Sequence, residues 1–237
     1  MSEFLLVHGA MHGAWCWRDV EPLLRAAGHG VNTLALTGQG ERAHLLTPEV
    51  GVETHIEDIV AVAEFADLEE VILVLHSYSG ILAGPLAQRL GDRLHAVIAA
   101  GAFLVDPGQS LLDVEPPEVA QRYRDLAAEA GDGWRVPAST AFLDQWGVAD
   151  PRLRALIGPR LTDFPLACAT DPVPFDPDYL NRLPRTYLEH TAPPLVSLAG
   201  SIERAQRQGW THRTLATGHD LMLTDPHGTA RLLLDAV

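Results

Sequence analysis

Ser77 stands between two contrasting patterns. Before it runs Val71–Leu75, apolar and of strand length; after it Ile81–Leu90 has the spacing of a helix. A serine at such a junction sits at a strand end beside a helix N-terminus, where developing negative charge is favoured. A hydroxyl is a weak nucleophile alone. It needs a base within hydrogen-bond reach and donors for the oxyanion it creates. Eleven histidines are available, and position singles out His219, in Thr217-Gly218-His219-Asp220. It follows the last strand-like run and precedes the last helix-like one, which puts it on a loop at a strand's C-terminal end, where open α/β sheets carry their sites. Ser79 is a rival nucleophile, but the spacing to Gly80 and to the strand end favours Ser77. His8 and His12 have i,i+4 spacing, yet they lie in a glycine-rich loop with no acidic residue between them, so no metal is expected.

The elements that must position these groups alternate along the chain. Glu3–Val7, Val31–Ala35, Val71–Leu75, Ala96–Ala100, Thr186–Leu188 and Thr211–Leu215 read as buried strands. Trp15–Ala27, Glu53–Phe65, Ile81–Leu90, Ser201–Gln208 and Pro226–Ala236 read as helices, the last opened by Pro226 with Thr224 or Asp225 as its cap. This rhythm predicts an α/β fold: a mostly parallel sheet of about six strands with helices on both faces. Between Val105 and Arg182 it breaks. Ten of the 17 prolines fall there and no buried strand is evident, so short helices are expected at Glu118–Glu129, Thr140–Gln145 and Pro151–Ile157. The expected division is a core of residues 1–104 and 184–237 with a helical cap inserted at 105–183.

Composition narrows the function classes. A net charge of −14 opposes nucleic-acid and anionic-membrane partners. All 17 cations are arginine, so no Schiff-base lysine exists. Cys16 and Cys168 form no CxxC pair and read as reduced packing residues, the N-terminus lacks a signal-peptide pattern, and no apolar run reaches the ~18 residues of a membrane span. A cytoplasmic protein is expected, with a homodimer left open.

The loop Val7-His8-Gly9-Ala10-Met11-His12-Gly13-Ala14-Trp15, the segment Leu36-Thr37-Gly38-Gln39-Gly40-Glu41-Arg42, the run Glu53-Thr54-His55-Ile56, the serine turn and Gly218-His219-Asp220 occur in one order. Together they resemble the α/β-hydrolase superfamily, in its plant salicylate-esterase and hydroxynitrile-lyase branch, over about two-thirds of the chain. The resemblance implies a nucleophile elbow at Ser77, His219 as base, and an oxyanion hole formed by the amides of Tyr78 and Ala10. It implies no cofactor. Within the branch, lyases carry a lysine after the sixth strand and a threonine after the first. Here there is no lysine and Gly9 takes the threonine's place, so the esterase-like reading leads.

Two departures stand out. The elbow pattern is Gly-x-Ser-x-Gly, and Leu75 and Ser79 replace its glycines, which implies a wider strand–helix crossing or a reshaped pocket floor. The triad acid is also missing. Pro193 aligns with the expected aspartate, and the alternative place at the end of the preceding strand is Gly101. Asp106 is the leading replacement, with Glu189 and Asp220 as lesser candidates and a bare serine–histidine pair as the alternative. The expected pocket is lined by Trp17, Phe103, Tyr123, Trp134, Phe142 and Trp146, suiting a small or medium apolar or aromatic substrate. The first reading is a cofactor-free carboxylesterase. A lyase, cyclase or dehydratase on the same scaffold is the second, and a non-catalytic binding module the third.

Overall fold

A computed structural model describes residues 2–236. Six of the apolar runs pair into one sheet. In chain order the strands are β1 (Glu3–Val7), β2 (Gly30–Leu34), β3 (Val71–His76), β4 (Leu94–Ala100), β5 (Arg135–Val136), β6 (Phe164–Pro165), β7 (Arg185–His190) and β8 (Thr211–Leu215). The main sheet has the order β2-β1-β3-β4-β7-β8, and every neighbouring pair is parallel. Because a parallel sheet is covered on both faces, its central strands are apolar throughout; β3 is buried at all six positions. The predicted strands match to within two residues at either end.

Two predicted helices are interrupted for the same reason. Trp15–Ala27 divides into a tight turn at Ala14–Trp17 and an α-helix at Glu21–Ala26 that restarts with Pro22 in its first turn. The helix after Ser77 opens as a tightly wound segment, Ser77–Leu82, before becoming α-helical at Ala83–Leu90. Pro85 has no N–H to return to the turn before it. Asp225 caps the last helix, Pro226–Leu234, by accepting the Gly228 N–H at 2.8 Å.

Between β4 and β7 lies the inserted region. It is largely helical: Leu111–Val114, Pro117–Ala130, Phe142–Gln145, Pro151–Ile157, Ala167–Thr170 and Pro177–Asn181. One feature was not predicted. β5 and β6 form a small antiparallel pair with partners Arg135–Pro165 and Val136–Phe164. Two-residue strands carry no periodicity to read. No helix among the described residues is long and apolar enough to cross a membrane.

Candidate active site

Ser77 follows β3 directly with φ of 54°, a left-handed conformation that a non-glycine residue adopts only where its surroundings impose it. Those surroundings are visible. The Ser77 carbonyl accepts the Phe103 N–H at 3.0 Å, and Ser79 Oγ donates to the His76 carbonyl at 2.9 Å. A Cβ on Gly80 would lie 2.6 Å from the Ala102 Cβ and 3.2 Å from the Phe103 nitrogen. The crossing therefore stays close, with Gly80 rather than residue 79 as the small residue. Leu75 is absorbed into the core and Ser79 into a backbone bond.

His219 Nε2 lies 2.9 Å from Ser77 Oγ, although 142 residues separate them in sequence. Both side chains are buried, Ser77 at 9% and His219 at 2% exposure. For His219 to act as a base, the serine hydroxyl donates to Nε2 and the ring proton sits on Nδ1. His219 Nδ1 has no hydrogen-bond partner. Burial, followed by the neighbouring His76, His190 and His12, holds the His219 pKa well below the usual 6.5, so the ring is neutral, the form a base must have before attack.

The acid candidates go elsewhere. Asp106 forms a two-point bond with Arg204, from Nε at 3.0 Å and Nη2 at 2.9 Å, so its carboxylate does not orient His219. Glu189 faces His212 at 2.8 Å. At Gly101, with φ of 52°, a Cβ would lie 3.5 Å from His219 Nδ1 but 2.9 Å from His190 Nδ1. The place from which a β4 carboxylate would reach the base is thus filled by an imidazole. His190 packs edge-on to His219 with ring centres 4.9 Å apart, and neither of its nitrogens has a partner.

The base is held through its backbone instead. Its N–H donates to the Trp146 carbonyl at 2.9 Å, and its carbonyl accepts His76 Nε2–H at 3.0 Å. Beside it, Asp220 is fully buried and 3.4 Å from His12 Nε2. His12 Nδ1 donates to the Ala10 carbonyl at 2.9 Å, so His12 can face the carboxylate favourably only when both nitrogens carry protons. Burial is the largest effect and works against that charge; the Asp220 carboxylate and the Ala10 carbonyl together overcome it and raise the His12 pKa. His76 and His190 are the reverse, both pushed by burial down to about 4.

Of the predicted lining residues, two approach these histidines and a third packs on one of the two. Trp146 lies 5.1 Å from the His12 ring and 6.4 Å from the His219 ring, and Phe142 stacks on it at 5.6 Å. Trp17 meets His76 edge-on at 6.4 Å. Phe103 is buried where its backbone meets Ser77 and Gly80. Trp134, with Arg135 above its ring, lines a surface cavity of about 440 Å³ alongside Leu46 and Thr162, and Tyr123 is half-buried on the helix Pro117–Ala130. Ala10 is half-buried in the β1 loop. Tyr78 is buried, and its hydroxyl donates to His55 Nδ1 at 3.0 Å, while His55 Nε2–H donates to the Thr37 carbonyl. Sequence reasoning missed this bracing role for His55 and the part played by His76, His190 and His12. Their signal was the density of histidines in apolar runs.

Comparison with known proteins agrees with this geometry. A carbendazim hydrolyzing esterase from Nocardioides sp. (strain SG-4G) is 42% identical over 127 residues, which cover 52% of this chain and 52% of the relative. Salicylic acid-binding protein 2 from Nicotiana tabacum is 34% identical over 160 residues, 67% of this chain and 58% of the relative. The chain thus spans about half the length of the curated relatives it matches. Among solved structures, an extracellular alpha/beta-hydrolase from a Paenibacillus species superposes with a TM-score of 0.88 at 22% identity, covering 100% of this chain and 99% of the other. The model of the alpha/beta hydrolase family matches residues 4–232, and the chain belongs to that family.

Proposed function

We propose that this protein is a cofactor-free serine esterase acting on small apolar or aromatic esters. The observation that carries the reading is the 2.9 Å contact between Ser77 Oγ and His219 Nε2 at a strained elbow. Ser77 attacks the ester carbonyl while its proton passes to His219 Nε2. The carbonyl oxygen becomes an oxyanion, and the amides of Ala10 and Tyr78 receive it. Tyr78 is the second residue of a tight helix, where N–H groups have no intrahelical partner. His219 then protonates the departing alcohol, leaving an acyl group on Ser77. Water, deprotonated by His219, releases the acid and restores the serine. Phe142 and Trp146, from an insertion we assign to residues 105–183, supply an apolar wall. The 42% identical relative is a carbendazim hydrolyzing esterase, which supports ester hydrolysis. Buried unpaired Cys16 and Cys168 support a cytoplasmic site of action.

The test is a fluorophosphonate probe with aryl acetate hydrolysis. Labelling should map to Ser77, and both Ser77→Ala and His219→Ala should abolish labelling and turnover. One observation favours a second reading, acid–base chemistry without an acyl-enzyme: His219 Nδ1 has no carboxylate. Native activity that survives Ser77→Ala and disappears in His219→Ala would establish it in place of the first.

A further inference from the structure

The described residues bring four ionisable groups around the base: His12, His76, His190 and Asp220. Only one is an acid. Asp220 is 0% exposed, and neither of its carboxylate oxygens has a hydrogen-bond partner; its nearest cation is His12 at 3.4 Å. A buried carboxylate with so few bonds is unfavourable for stability. Its backbone carbonyl already caps the following turn, accepting from the Leu223 and Thr224 amides at 2.8 and 2.9 Å, so the side chain is not needed there.

We propose that Asp220, held by His12, is a positioning residue that takes over the electrostatic task of the missing triad acid. This rests on the serine-esterase reading above. In a triad the carboxylate both orients the base and stabilises the imidazolium formed during attack. Here the two tasks are divided. Orientation comes from the bonds of His219 to the Trp146 carbonyl and to His76 Nε2. Charge comes from Asp220, on the next residue of the same loop, acting across a buried site where field lines are poorly screened. His12 Nε2 is the basic group that faces this carboxylate, at 3.4 Å. His76 and His190 face the same space as neutral rings.

Three variants test the assignment, each with kcat and KM for an aryl acetate, the fluorophosphonate labelling rate at Ser77 and a thermal melt. Asp220→Asn is isosteric and removes a poorly bonded buried charge. It should lose about 10–100-fold in kcat and in labelling rate, with KM within about twofold and the Tm equal or higher. His12→Gln keeps the carboxylate and removes the bracing partner; a loss of about threefold is expected. The double variant, with neither charge, should match Asp220→Asn, and it serves if the single variant fails to fold. Equal losses in His12→Gln and Asp220→Asn would mean that the pair is only a strut, overturning the proposal. So would a double variant as active as wild type. If wild-type Ser77 does not label, the esterase reading and this inference both fail; labelling with an undiminished Asp220→Asn rate overturns the inference alone.

Discussion

Replacing Gly9 by alanine should damage chemistry more than stability. Gly9 follows β1, and a Cβ there would lie 2.6 Å from the Ser77 Cβ and 3.0 Å from His76 Nδ1. Two carbons in contact prefer about 3.5–4.0 Å, so one of them has to move by about 1 Å. Ser77 has little freedom to move. Its φ is 54°, its carbonyl is bonded to Phe103, and it borders buried β3. Either the strained turn distorts or the β1 loop lifts. Overpacking of this kind costs about 1–3 kcal/mol, which for a chain of this size lowers the Tm by about 3–10 °C. A displacement of about 1 Å at a nucleophile costs about 100-fold in rate. Gly200→Ala is the matched control: Gly200 lies in the helix Ala199–Arg207, and a Cβ there meets nothing within 4 Å, so alanine should stabilise by about 0.5–1 kcal/mol. The assay is the fluorophosphonate labelling rate at Ser77 beside a melting curve. A Gly9→Ala protein that labels at the wild-type rate and melts within 2 °C of it (a threshold of about half a kcal/mol) would refute the argument.

Two further expectations concern pH. Burial raises the Glu115 pKa from 4.5 to about 7, against a smaller opposing pull from Ser197. The folded protein therefore binds a proton there that the unfolded chain has released, and stability falls as pH rises from 4.5 to 7, by about 3 kcal/mol in all. Glu115→Gln should match wild type in a melt at pH 4.5 and exceed it by several degrees at pH 8; equal Tm values at pH 8 would contradict this. The buried histidines act in the opposite direction. His8 is held at about 3, His55, His76 and His190 at about 4, and His219 well below 6.5, in each case chiefly by burial. Below pH 6.5 the unfolded chain takes up protons at these positions while the folded one does not. His12, whose pKa is raised, offsets one of them. Circular dichroism against pH should show cooperative unfolding between about pH 6 and 4, with His190→Gln shifting the midpoint downward. A fold stable to pH 3 would show that these rings are not buried neutral.

Much of the site was legible because its signals are local. Ser77 announces itself by the switch from strand to helix pattern, and His219 by its place after the last strand. The empty acid positions at Pro193 and Gly101 followed from the family resemblance. What could not be read is pairing at a distance. Asp106 was the leading acid because it follows the right strand; its partner, Arg204, lies 98 residues on. Asp220 looked unsuited because neighbours rarely hydrogen-bond as base and acid, and the structure gives it His12 instead. Trp134 and Tyr123 carried the right chemistry, but the path of the inserted chain decides which aromatic rings face the base. That path depends on the β5–β6 pairing, which is too short to leave a pattern.

The bond from the His219 N–H to the Trp146 carbonyl joins the base to the inserted region. A change that shifts the Phe142–Gln145 helix is therefore felt twice, at the apolar wall and at the backbone of the base.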